Sequence, residues 1–86
     1  MAYRVFWTPD AEETIERFLK TSENPKLIAA SARQIDQFLL TSPNEFGESR
    51  YDAMRIGFVF PLGAQFEVME DVYPVIVHHV WRSDRK

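Results

Sequence analysis

The hydrophobic periodicity changes twice along this chain, and that change restricts the fold more than any other feature. Apolar residues recur at helical spacing between residues 9 and 41, whereas the segments before and after them alternate with period two. Period two is the signature of strands whose two faces meet different surroundings. The sequence therefore predicts an α+β chain with the element order β-α-α-β-β-β.

Two similar start signals mark the beginnings of the helices. Thr8 and Asn24 are favourable N-cap residues, and each is followed by a proline, which suits the first helical position. The second helix is expected to end at the breaker segment 41–44. Because only a short turn separates the two helices, we predict that they form an antiparallel hairpin.

Four strands are predicted from the period-two segments. The first covers residues 3–7 and the last covers 74–82, with turns expected at 61–63 and 70–73. In the second strand the side chains divide between two faces, with Met54, Ile56, Phe58 and Phe60 on one and Arg55, Gly57 and Val59 on the other. We expect the run from Phe58 to Phe60 to lie in the sheet core and Arg55 to lie on the opposite face.

Composition limits the classes of function that are possible. The 86 residues suffice for a single domain over 1–86, and the lack of cysteine excludes disulfides, thiolate metal sites and a cysteine nucleophile. The net charge is −3, with eight acidic and five basic residues in 1–48 and five of each in 49–86. An acidic chain is a poor nonspecific binder of nucleic acid. We see no signal peptide or membrane span, so we expect a cytoplasmic protein without a membrane partner.

The last predicted strand ends in polar and aromatic residues that a purely structural strand does not need. It contains His78, His79, Trp81 and Arg82, and burying such polar groups is unfavourable unless each one finds a partner. This segment is therefore the first candidate for a functional site. The alternative is that each histidine is a satisfied structural residue.

Strand geometry limits which of these side chains can act together. Val77, His79 and Trp81 share one face of a regular strand, whereas His78 and Arg82 share the other. His79 and Arg82 then lie on opposite faces unless the strand twists or bulges, and in a regular strand His78 accompanies Arg82 while His79 packs inward. Neighbouring histidines on one strand cannot both bind one metal ion, so no metal site and no cofactor are expected.

Several short segments, taken in their order, resemble the RelE/ParE superfamily of bacterial type II toxin-antitoxin toxins, which includes plasmid stabilisation proteins. The matching segments are 3–12, 32–36, 47–50, 54–56 and 79–82. The resemblance implies a small antiparallel sheet with the two N-terminal helices packed on one face and a groove on the other. It also implies either ribosome-dependent cleavage of messenger RNA or poisoning of DNA gyrase, with a cognate antitoxin as the partner.

The resemblance also implies a set of candidate catalytic residues for a metal-independent endoribonuclease. The basic positions of the family match Arg55 and Arg82, the polar position near the end of the last strand matches His79, and a loop glutamate is echoed by Glu48. Arginine suits a phosphoryl group because its planar fork donates two hydrogen bonds, and histidine can transfer protons near neutral pH. His78 is the other candidate for proton transfer.

Two further residues are candidates for substrate binding, and each has a structural alternative. Trp81 could stack on a base, but it could equally be a core or partner-contact residue. Arg50 could contact substrate, or it could fix the loop through Glu48 or Asp52. For Arg55, the alternative is a cross-strand ion pair with Glu67.

Two departures from the family pattern favour a non-catalytic function. The second basic residue of the second strand would fall on Gly57, and the arginine that opens the third strand would fall on Gly63. The chain also lacks the C-terminal tyrosine segment of several ribonucleases. The alternative function is therefore a RelE/ParE-like protein that acts through protein–protein binding alone.

Overall fold

The computed structural model describes residues 3–51, 53–69 and 74–84 and contains two helices and five strands. In chain order the elements are β1 (Arg4–Trp7), α1 (Pro9–Thr21), α2 (Pro25–Thr41), β2 (Glu48–Tyr51), β3 (Met54–Val59), β4 (Leu62–Val68) and β5 (Pro74–Arg82). This confirms the α+β class and both helices, and it adds β2, which the sequence analysis did not predict. The predicted turn at 70–73 lies outside the described residues.

Both helices begin at the predicted caps. The Thr8 hydroxyl accepts a hydrogen bond from the Ala11 amide at 3.1 Å, and the Asn24 side chain accepts one from the Leu27 amide at 3.2 Å. A proline occupies the first helical turn in each case, where its missing amide proton has no intrahelical acceptor to lose. No helix in the described part of the chain is long and apolar enough to cross a membrane.

The five strands form one mixed sheet with the order β1-β5-β4-β3-β2. Strands β2 to β5 are joined by antiparallel pairing, whereas β1 runs parallel to β5. The sheet is therefore antiparallel, as expected, except for the parallel pairing of β1 at this edge. The two helices intervene between β1 and the rest of the sheet, so β1 is not tied to a hairpin neighbour and can join the last strand in the parallel sense.

The two helices pack on one face of the sheet, and the core lies between the helices and the sheet. Ile28, Ile35 and Leu39 of α2 are completely buried against a layer of strand residues. That strand layer consists of Leu62, Ala64, Phe66, Val68, Val75, Val77 and Val80. We call this side of the sheet the helix face and the other side the open face.

The two sides of β3 are reversed relative to the sequence prediction. Arg55, Gly57 and Val59 pair with Phe66, Ala64 and Leu62 of β4, which belong to the helix face. The other side chains of β3 therefore lie on the open face. Phe58 is 56% exposed and Phe60 is 67% exposed, so the prediction that this run forms the sheet core was wrong for both phenylalanines, whereas Val59 packs against the core.

Candidate functional site

A β-bulge in β5 determines the arrangement of the candidate residues. Gln65 of β4 pairs with His79, but the next residue, Phe66, pairs with Val77, so His78 is an extra residue in β5. The alternation of side chains changes at this point. Val77 and Val80 both lie in the core, although a regular strand would place them on opposite faces.

The bulge brings both histidines to the open face. His79 is exposed and pairs with Gln65, and the Nε2 atom of His78 lies 3.1 Å from Oε1 of Glu67. Glu67 belongs to the open face because it pairs with Met54 on β3 and with Ile76 on β5. The expectation that neighbouring histidines point to opposite faces was therefore wrong. His79 was expected to pack inward only in a regular strand, and the bulge makes β5 irregular.

The bulge does not bring either histidine together with Arg82. His79 and Trp81 lie on the open face beyond the bulge, whereas Arg82 pairs with the buried Leu62 and follows the helix face. Arg82 is instead held by Asp84, with Nε to Oδ1 at 2.9 Å and Nη2 to Oδ2 at 2.7 Å. The hydrogen bonds to Asp84 raise the pKa of Arg82 above its usual value, so this guanidinium remains charged.

Arg55 lies on the helix face of the sheet. Its Nη2 atom donates a hydrogen bond to the Gly47 carbonyl at 3.0 Å, and its Nε atom is buried without a hydrogen-bond partner among the described residues. The interpretation of Arg55 as a cross-strand partner of Glu67 was wrong, because Arg55 pairs with Phe66. Arg55 and Arg82 are separated by four residues measured along β4, which is about 13 Å. The structure does not bring them together.

Glu48 and Arg50 lie on β2, at the edge of the sheet. The Nη1 atom of Arg50 is 3.9 Å from Oε2 of Glu48, and both side chains are exposed, which confirms the expected contact within this segment. Asp52 lies outside the described residues. Glu48 pairs with Ile56 on the open face, and two strands, β3 and β4, lie between it and His79.

Trp81 covers Gly63 on the open face. A Cβ atom built at position 63 would lie 2.5 Å from Cε2 of the indole, so only glycine fits beneath the ring as it stands. Phe58 meets the indole edge-on, with ring centroids 6.0 Å apart and an interplanar angle of 83°. Trp81 and Phe58 form an aromatic pair on an exposed surface.

Gly57 is covered by a second ring on the helix face. A Cβ atom at position 57 would lie 2.5 Å from Cε2 of Phe46. The Phe46 ring is stacked between Phe38, with centroids 5.1 Å apart, and Phe66, with centroids 5.6 Å apart. Positions 57 and 63, where the family resemblance implies basic residues that this chain lacks, are therefore glycines beneath aromatic rings.

On the open face, β4 and β5 bring together three of the predicted site residues and, with β3, three that the sequence analysis did not single out as site residues, whereas Glu48 lies on the same face at the distant edge. His78, His79 and Trp81 lie there beside Glu67, Gln65 and Phe58. Strand alternation could have assigned Gln65 and Glu67 to one face, but nothing in the sequence marked the bulge at His78. No group of three or more His, Asp or Glu side chains that could hold a metal ion occurs among the described residues.

Comparison with known proteins identifies the fold. No family model and no curated protein matches the sequence. The structure is similar to a chain in the crystal structure of the toxin-antitoxin complex RelBE2 from Mycobacterium tuberculosis, with a TM-score of 0.74 over 95% of this chain and 99% of that one. The chain has a RelE-type fold. Because the sequences are 15% identical, this comparison concerns the fold alone, and it agrees with the helices-on-sheet architecture that the sequence resemblance implied.

Proposed function

We propose that this chain is the toxin component of a bacterial type II toxin-antitoxin system and that its partner is a cognate antitoxin. The observation that carries the proposal is the backbone match to a chain of a toxin-antitoxin complex over nearly the full length of both chains. The match agrees with the order of the sequence segments that resemble RelE/ParE toxins. A toxin of this kind acts on a target in the bacterial cytoplasm.

The open face is the surface that we propose to contact the target. Phe58 and Phe60 are more than half exposed, Phe6 on β1 is 52% exposed, and Trp81 lies beside Phe58. Phe6 pairs with Ile76, which places it on the same face. Exposed apolar patches on a soluble monomer mark interaction sites, because leaving such a surface in water is unfavourable.

The distribution of cations favours action by binding over cleavage of RNA. Phosphoryl transfer needs positive charge at the reacting phosphate. Arg55 lies on the helix face, Arg82 is engaged by Asp84, and aromatic rings cover Gly57 and Gly63. We therefore propose that the toxin blocks its target, for example DNA gyrase, by binding through the open face.

Metal-independent cleavage of messenger RNA is the second candidate, and the histidine pair favours it. His78, held by Glu67, and the exposed His79 lie on one face beside Trp81. In this reaction one imidazole accepts the proton of the 2′-hydroxyl, whose oxygen attacks phosphorus, and the other donates a proton to the departing 5′-oxygen. Trp81 would stack on a base. Arg82 follows the helix face and is held by Asp84, so it would have to leave both to reach a phosphate beside the histidines.

The experiment is induction of the chain alone in bacteria, with and without the open reading frame that neighbours its gene. We expect growth arrest that the neighbouring protein relieves. Arrest with DNA damage and intact transcripts supports binding to gyrase, and arrest with new transcript ends at ribosomal A sites supports cleavage. Absence of arrest at a verified level of folded protein would refute the toxin proposal.

Variants then test whether the open face is responsible. Trp81→Ala should abolish arrest under either mechanism, whereas His78→Gln with His79→Gln should abolish it only if RNA is cleaved. Leu27→Ala is the matched control, because Leu27 is an exposed apolar residue of α2, outside the sheet. If Trp81→Ala arrests growth as strongly as Leu27→Ala at equal protein levels, the open face is not the target-binding surface.

A further inference from the structure

The bulge at His78 is also held from the side of β5 that faces β1. The strand β1 ends at Trp7, which pairs with Val77, so the pairing of β1 with β5 stops one residue before the bulge. Thr8 continues the contact beyond that point. Its amide donates a hydrogen bond to the Val77 carbonyl at 3.1 Å, and its hydroxyl donates one to the His78 carbonyl at 3.4 Å. Thr8 therefore binds both the residue before the bulge and the bulged residue itself.

The Thr8 hydroxyl connects the bulge with the start of α1. It is the N-cap of this helix and accepts a hydrogen bond from the Ala11 amide at 3.1 Å while it donates to the His78 carbonyl. A hydroxyl can do both, because it has one proton to donate and two lone pairs that accept. Pro9, the next residue, has no amide proton that could take over the donation. One side chain thus serves the helix and the bulge together.

The bulge determines which side chains beyond it lie on the open face. Without the extra residue, His78 would oppose Gln65, and the pairing of residues 79–82 would shift by one position. A shift by one residue moves every side chain of a strand to the other face. Trp81 would then point to the helices and Arg82 to the open face. The bulge is therefore what gives the open face its aromatic character at the end of β5.

We propose that Thr8 is a positioning residue of the open face: its hydroxyl donates to the His78 carbonyl, keeps the bulge in place, and so keeps His79 and Trp81 on the surface that meets the target. A carbonyl that loses its donor is destabilised, so removal of the hydroxyl favours conformations in which the bulge opens. The role given to the open face rests on the proposed function, whereas the bulge is measured on the purified chain.

Three substitutions at position 8 separate the two hydrogen bonds of the hydroxyl. Thr8→Ser keeps both the cap and the donor. Thr8→Asp keeps the cap, because a carboxylate is a good N-cap acceptor, but an ionised carboxylate has no proton to donate to His78. Thr8→Val removes both bonds with nearly the same side-chain shape. The matched control is Asn24→Ala, which removes the equivalent cap from α2 and leaves Thr8 in place.

Amide hydrogen exchange of the full chain, followed by nuclear magnetic resonance, measures how often the bulge opens. We expect residues 78–80 to exchange about two- to tenfold faster in Thr8→Asp and Thr8→Val than in the parent chain, which is the range for the loss of one hydrogen bond. Thr8→Ser should exchange at the parental rate. The reference is Val75, in the regular part of β5, whose exchange should change as much as that of residues 78–80 in Asn24→Ala.

Two results of the exchange experiment would overturn the proposal. One is exchange of residues 78–80 as slow in Thr8→Asp as in Thr8→Ser. The other is an acceleration of these residues relative to Val75 that is as large in Asn24→Ala as in Thr8→Val. The second comparison holds even if Thr8→Asp does not fold, because it uses variants that lose the same kind of cap.

Induction in bacteria tests the consequence for the target. Where the parent chain arrests growth, Thr8→Asp should weaken the arrest and Thr8→Ser should not, at equal levels of folded protein. Full arrest by Thr8→Asp together with faster exchange would refute the positioning role. Absence of arrest by the parent chain would instead refute the proposed function, and the exchange rates would still decide whether Thr8 holds the bulge.

Discussion

The Phe46 ring packs directly over Gly57, and the free energy of unfolding should therefore depend on which residue occupies position 57. In Gly57→Ala the new methyl group would lie 2.5 Å from Cε2 of Phe46, so the ring must move. Phe46 has little freedom to move, because Phe38 and Phe66 stack on its two sides at 5.1 and 5.6 Å. Phe66 is completely buried and cannot follow it. We therefore expect Gly57→Ala to destabilise the fold.

The magnitude follows from the contacts that are lost. Each aromatic contact contributes about 0.5–1.5 kcal/mol beyond its buried area, and overpacking of a core adds about 1–3 kcal/mol. Replacing glycine by alanine in a strand returns about 0.5–1 kcal/mol through lower chain entropy. With both aromatic contacts weakened, the net expectation is a loss of about 3 kcal/mol, which in a domain of this size lowers the melting temperature by about 12–24 °C.

Gly63→Ala is the matched control. The same clash distance of 2.5 Å occurs there, but the ring above it is Trp81, which lies on the open face and contacts Phe58 only edge-on. The indole can tilt toward solvent, so the lost contact of about 0.5–1.5 kcal/mol is largely offset by the gain in chain entropy. We expect a change of less than about 1 kcal/mol.

Urea unfolding monitored by far-ultraviolet circular dichroism measures both variants, with the free energy of unfolding obtained by linear extrapolation. The reasoning is refuted if Gly57→Ala is as stable as the parent chain, or if Gly63→Ala is destabilised as much as Gly57→Ala. Either result would mean that the aromatic rings do not determine which residues positions 57 and 63 can accept.

Three further predictions use the same assay. Ser31→Ala should lower the free energy of unfolding by about 1–2 kcal/mol, because the buried Ser31 hydroxyl donates to the Val59 carbonyl at 2.6 Å; an unchanged value would mean that the carbonyl finds another donor. Thr8→Ala should cost about 1 kcal/mol and Thr8→Ser much less, since the hydroxyl caps α1; equal losses would exclude the cap as the cause. Phe66→Ala should cost about 3–5 kcal/mol, whereas Phe58→Ala should cost less than about 1 kcal/mol; similar losses would contradict the assignment of the two faces.

The sequence predicted the helices well because their signals are local. The caps at Thr8 and Asn24 lie within a few residues of the backbone groups that they satisfy, so both helix starts agree with the structure. The limits of β5 were predicted for a similar reason, since it is a long run of β-branched residues that ends at Arg82. The parallel pairing of β1 depends on a strand some 70 positions later, and no local pattern reports it.

The errors at the candidate site have a single physical origin. The side chains on the two sides of β3 are both partly apolar, so alternation alone could not decide which side faces the helices. That choice depends on the layer formed by Leu62, Ala64 and Phe66 on the neighbouring strand and on the ring of Phe46 above Gly57. The bulge at His78 likewise depends on the pairing between two strands.

Gly57 and Gly63 determine both how the aromatic rings above them pack and whether an arginine could occupy these two positions. At Gly57 an arginine would have to displace Phe46 from its stack between Phe38 and the buried Phe66, and its side chain would then point to the helix face. At Gly63 an arginine would point to the open face and would displace only the half-buried Trp81. Of these two positions, only 63 would place a cation on the open face, at the expense of the exposed aromatic pair. Phosphate binding and aromatic contact thus compete for the same place on the open face, and this chain has the aromatic contact, which is the arrangement expected of a protein that binds a partner surface.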